Sequence, residues 1–235
     1  MLSEFFNVER IMDFCYKIWY FLVINFLFVI SNIPVLLFLL LVGGSQIRTY
    51  LPLFLLSLAP MAPALSAVMY AMTRLLHGTD LGARKDYWKG YKSGFLKKLV
   101  LGIAHAFVVL VFWTNIEFFT FQMPFLPLII LFILLFVLSI LLIPPLYLLA
   151  SRYEMTNLQL VKTAIVLMFA KPIMTLGNVA AVAIVLVAYE MVAGTAVLFM
   201  GSVCGFLIVF MNQKVLKELE SRNTPNERVN ETAKL

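Results

Sequence analysis

The chain has only two cysteines, two histidines and twelve acidic residues among 235 positions, and each shortage removes a class of chemistry. Cys15 and Cys204 lie far apart with no CxxC spacing, so the sequence offers neither a dithiol redox centre nor a Cys/His zinc site. Both read as packing residues. No G-x-S-x-G elbow, H-E-x-x-H pair or P-loop occurs, and no acidic cluster is placed to hold a metal. Neither an enzyme nor a cofactor is expected.

Charge is scarce as well. Charged residues make up 13% of the chain and hydrophobic ones 63%, against about a quarter charged in an ordinary soluble domain, so a soluble fold could not hide the apolar surface. The charges are clustered, leaving uncharged windows at 18–47, 49–73, 99–116, 118–151, 172–189 and 191–213. A hydrocarbon core of about 30 Å takes roughly 20 helical residues. The windows therefore predict an all-α, polytopic membrane protein with six transmembrane helices over about 17–42, 51–75, 99–119, 125–150, 172–190 and 192–212. A charged cytoplasmic tail, 214–235, follows this single transmembrane domain. A five-helix reading arises because Glu190 alone separates the last two windows. The first apolar run is far longer than a signal-peptide h-region and has no A-x-A site after it, so it is expected to stay in the protein.

Six crossings place seventeen of the eighteen Lys and Arg on one side and Arg48 alone on the other. By the positive-inside rule both termini are cytoplasmic. Tyr16, Trp19, Tyr20 and Tyr147 fall at inner helix ends and Tyr50, Trp113 and Tyr189 near outer ends, the depths such rings favour. The isoelectric point near 9.3 follows from this asymmetry, so the expected partner is the anionic inner leaflet and not nucleic acid.

The stretch AMTRLLHGTDLGARKDYWKGYKSGFLKKL, residues 71–99, holds seven of the eighteen cations. Gly78 can close the preceding helix and Thr79 or Asp80 can cap a new one. Leu81, Arg84, Trp88, Tyr91 and Phe95 recur at helical spacing, while Lys85, Lys89 and Lys92 fall along another face. That pattern predicts a cytoplasmic amphipathic helix in the membrane interface, with Arg74, Lys85, Trp88, Lys89, Tyr91 and Lys92 as candidate lipid or partner contacts. A solvated basic loop that only sets topology fits the same charges, and Gly82, Gly90 and Gly94 count against a helix. At an offset of 77 residues Tyr70 matches Tyr147, and TDLGARK from Thr79 matches TNLQLVK from Thr156. An internal duplication and chance both remain open; if real, the repeat is parallel and supplies a second amphipathic connecting helix that Pro172 ends.

Within the membrane, Pro60 and Pro63 mark the second helix, Pro144 and Pro145 the fourth, and His105 the third. Proline frees backbone carbonyls that need partners, so these five residues are the candidate kink or pathway positions, with ordinary packing as the alternative. The GxxxG of Gly201 and Gly205 allows close helix approach.

The segment PMAPALSAVMYAMTRLLHGTDLGARKDYWKGYKSGFLKK resembles the YesL-like family of bacterial integral membrane proteins. Pro63, Ala67, Tyr70, Arg74, Gly78, Asp80, Asp86, Tyr87, Trp88, Lys89 and Phe95 carry the likeness. Ala62 stands where that family usually has Gly, and Gly94 where it has Asn. The resemblance implies a plasma-membrane protein encoded beside carbohydrate uptake and degradation systems, and implies no established activity. Residues 155–172 are also similar to the coupling-helix region of importer permeases, without its Glu-Ala-Ala and Gly signature. The expected function is an accessory or interaction role linked to carbohydrate uptake, with an importer subunit or a second copy of the chain as partner. Small-solute transport through the kinked helices is the alternative.

Overall fold

The computed structural model describes residues 8–78, 81–191 and 198–232, and no strand occurs among them. Eleven α-helices follow one another: α1 (Val8–Ser31), α2 (Ile33–Leu41), α3 (Leu51–Ser57), α4 (Met61–His77), α5 (Ala83–Lys92), α6 (Phe95–Phe121), α7 (Leu126–Leu141), α8 (Ile143–Arg152), α9 (Asn157–Ala170), α10 (Pro172–Met191) and α11 (Met200–Thr232). Five stretches are long and apolar enough to cross a membrane: Arg10–Ser31, Leu51–His77, Phe95–Phe121, Leu126–Arg152 and Pro172–Met191. Of the sixth predicted helix, residues 192–197 lie outside the described residues, and α11 runs on through the region expected as a tail.

Helix boundaries differ from the uncharged windows. The first helix begins at Val8 rather than near 17, because charge does not stop a helix when it pairs along it: Lys17 Nζ lies 2.7 Å from Asp13 one turn earlier. It also breaks at Asn32, where Pro34 in the next turn has no N–H to continue the ladder and Asn32 Nδ2 donates instead to the Phe28 carbonyl at 2.7 Å. The predicted second and fourth helices are each two pieces. Pro60 stands between α3 and α4, and Pro144 and Pro145 occupy the first turn of α8, where a missing N–H costs nothing.

Helix α4 is the centre of the molecule, with α1, α5, α6, α8 and α11 around it. Its run of Ala, Ser and Met is buried nearly all round, from Ala62 to Leu75. Small side chains permit this crowding, since helices in lipid associate through close van der Waals packing. A Cβ on Gly102 of α6 would stand 2.5 Å from that of Ala62, and one on Gly205 of α11 would stand 2.4 Å from Val68 Cγ1. The GxxxG of α11 is thus used inside the molecule. Leu134 on α7 and Ile184 on α10 are more than half exposed, as lipid-facing residues should be.

The 77-residue offset maps α4–α5 onto α8–α9. Ala83, Tyr87 and Gly90 are buried in α5, and the positions 77 further on, Leu160, Ala164 and Leu167, are buried in α9. Each short helix is also closed from the helix that follows it. Lys98 donates to the Gly90 carbonyl at 2.9 Å, and Thr175, 77 residues on, donates to the Met168 carbonyl at 3.0 Å.

Candidate functional site

Helix α4 ends at Gly78, whose φ of 71° is the left-handed conformation that closes a helix without a Cβ penalty. Thr79 and Asp80, the predicted caps, lie outside the described residues. Gly82 takes the N-cap position of α5, and its N–H donates to Asp86 Oδ2 at 3.1 Å. Helix α5 then folds back along α4. Asp86 faces Arg74, while four residues later Gly90 faces Tyr70 and Ala67. A Cβ on Gly90 would meet that of Tyr70 at 2.8 Å, so only glycine lets the two backbones come this close.

Asp86 is 3% exposed and is the hub of the contact. Its Oδ1 lies 3.5 Å from Arg74 Nε, an ion pair rather than a well-formed hydrogen bond. Its Oδ2 accepts from the Tyr20 hydroxyl of α1 at 3.0 Å, a hydroxyl that also lies 3.0 Å from the Ala71 carbonyl. Tyr16, one turn earlier on α1, donates to the Leu81 carbonyl at 2.6 Å. A buried carboxylate requires such partners, because its desolvation is repaid only by charge and hydrogen bonding together.

The far half of α5 is held by aromatics. Tyr87 donates to Ser31 Oγ at 2.8 Å, stacks on Tyr91 and meets Trp88 edge-on, and Tyr91 continues to Phe95. Burial raises the Tyr87 and Tyr91 phenols above their ordinary range. Lys98, 5% exposed, reaches back from α6 to the last turn of α5, where an ammonium is favoured by the unpaired carbonyls. Gly94, at φ 59°, makes the turn between the two helices.

The predicted apolar face is therefore not the docked face. Ala83, Asp86, Tyr87 and Gly90 are buried against α1 and α4, with Trp88 and Tyr91 half-buried at the margin. Lys85, Lys89 and Lys92 are exposed, together with Arg84. Arg74 joins the site through Asp86. The other five predicted residues do not join it or one another: His105 faces Ser139 at 3.4 Å in a cleft beside α8, which none of Pro60, Pro63, Pro144 and Pro145 lines. Tyr20, Ser31 and Lys98 were not legible as partners of α5, since nothing local in the sequence ties them to it. The one signal was Asp86 itself, an acid inside a run of cations. Among the described residues no three His, Cys, Asp or Glu side chains gather to hold a metal.

Residues 21–116 match the family described as Protein of unknown function, DUF624, a likeness compatible with the YesL-like resemblance. The matched span runs from α1 into α6 and contains Asp86 with its partners Arg74 and Gly82, while Tyr20 adjoins it. No curated protein and no solved structure matches the chain.

Proposed function

We propose that the chain is an accessory component of a membrane assembly for carbohydrate uptake, and that α5 is the platform on which an acidic partner surface docks. In this reading the protein crosses a bacterial plasma membrane six times, the last time through 192–212, with both termini in the cytoplasm. The charge distribution supports that orientation: seventeen cations fall on the α5 side, and the remaining one, Arg48, is paired with Glu117 at 2.6 Å. The link to carbohydrate uptake comes from the YesL-like resemblance.

The observation that carries the reading is the division of one ten-residue helix into two faces. The inner face is locked by Asp86, Tyr87 and Gly90, while Arg84, Lys85, Lys89 and Lys92 point outward on a rigid base. Charges held in a fixed array select a partner by electrostatic complementarity, which a mobile loop does less well. Recovery of an importer subunit from mild detergent by the wild-type chain, and its loss in a Lys85→Glu, Lys89→Glu, Lys92→Glu variant that still reaches the membrane, is the expected result. Equal recovery by both would refute the docking role.

Solute transport is the second reading, favoured by the breaks before α2, α4 and α8, since interrupted helices free backbone groups at membrane depth. Sugar uptake into vesicles containing the purified chain alone would establish it in place of the accessory role.

A further inference from the structure

Helices α6, α8 and α9 enclose a groove that changes character along its length. At the level of the first turn of α6 it is a polar pocket of about 260 Å³, lined by Lys97, Lys98, Glu154 and Asn157 among others. Beneath lies an apolar cleft of about 360 Å³, where the only polar side chains are His105 and Ser139. Leu101 lines both, and the linings descend the same helices in step: Lys98 to Phe112 on α6, Ala150 to Leu142 on α8, Asn157 to Phe169 on α9. At ~1.5 Å per residue the α6 wall alone is about 20 Å long. Phe169 and Ile165, both exposed, stand at the rim, so the cleft opens sideways toward lipid.

Two polar groups in the upper pocket lack sufficient partners. Lys98 is 95% buried with the Gly90 carbonyl as the acceptor of one of its three N–H groups. Asn157 donates to the Lys97 carbonyl at 3.1 Å, but its buried Oδ1 has no hydrogen-bond partner. A buried ammonium calls for an anion, and an orphan acceptor calls for a hydroxyl or another donor.

The internal offset shows how the groove arises. In the first copy Tyr87, Trp88 and Tyr91 fill the space beside α1; 77 residues on stand Ala164, Ile165 and Met168, which leave the corresponding space beside α6 open. The first copy is closed by aromatic rings, and the second is a slot.

We propose that this groove binds one anionic, glycerol-headed phospholipid, with its phosphate at Lys97 and Lys98, its head-group hydroxyls at Asn157 Oδ1 and Glu154, and one acyl chain in the cleft. A lipid fits better than a free phosphate because the polar pocket continues into an apolar slot that a soluble ion would leave empty. A phosphodiester with hydroxyls fits better than a bare phosphate because Glu154 would repel a second negative charge. The site lies apart from the α5 docking face and does not depend on that role.

The test is native mass spectrometry of the full chain in mild detergent, with phosphatidylglycerol, phosphatidylcholine or glycerol 3-phosphate added. Phosphatidylglycerol should be retained in preference to phosphatidylcholine, and glycerol 3-phosphate should not displace it. Lys97→Gln, at an exposed residue that leaves the fold intact, should weaken retention about fivefold, the factor that corresponds to ~1 kcal/mol per lysine near an anionic head group. Ala104→Trp, filling the cleft from an exposed position, should abolish retention with thermal unfolding unchanged. Equal retention of both lipids, displacement by glycerol 3-phosphate, or full retention by either variant would overturn the proposal.

Discussion

The Tyr20 hydroxyl and the Asp86 carboxylate, 66 residues apart in the chain, meet at 3.0 Å where both residues are buried. This bond ties α1 to α5, while Arg74 ties α5 to α4, so one carboxylate joins three helices.

Removing that hub should loosen α5 from the rest. Asp86→Ala leaves the Tyr20 hydroxyl and the Arg74 charge with less than they need, at a cost of about 2–3 kcal/mol, reduced from a fully buried pair because Arg74 is partly exposed. Tyr20→Phe should cost about 1 kcal/mol. Thermal unfolding in detergent measures both, and the double variant should be less destabilised than the two single losses added, since the residues share one contact.

Gly90→Ala forces a methyl to 2.8 Å from Tyr70 Cβ, and such overpacking costs about 1–3 kcal/mol, more than the gain in helix propensity returns. Gly82→Ala is the control, because its Cβ would rest at an ordinary 3.5 Å from Lys85 Cβ. A lower unfolding temperature for the first and none for the second is the expected pattern.

Alkaline solution should weaken the fold through Tyr87. Burial raises its phenol, so above about pH 10, the ordinary tyrosine range, the unfolded chain loses the proton while the folded chain keeps it. The unfolded state then binds fewer protons and stability falls as pH rises. Tyr87→Phe should reduce the slope of unfolding temperature against pH in that window.

Orientation is open to direct chemistry. In a Cys15→Ser, Cys204→Ser background, a cysteine at exposed Ser45 should react with an impermeant thiol reagent in intact cells, and one at exposed Ser93 should not. Labelling of position 93 from outside would reverse the assigned sidedness.

Hydropathy by itself determined that this is an all-helical chain with several membrane-length segments, because the cost of placing a residue in hydrocarbon is local and adds along the chain. It also located the helix end at Gly78, the cap at Thr156 with its Gln159 partner, and the boundary at Pro172, since each rests on the backbone chemistry of neighbouring residues. Only the tertiary structure decided which face of α5 is buried. A periodicity argument counts Asp86 as a solvent residue and Gly90 as a helix breaker, whereas the fold buries the first by bringing Tyr20 and Arg74 to it and requires the second for close approach to Tyr70. Likewise, nothing in the spacing of Lys98 and Asn157 foretold a shared pocket. They meet because α6 and α9 pack side by side, and a contact between helices distant in sequence is a property of the packed molecule, with no local pattern to announce it.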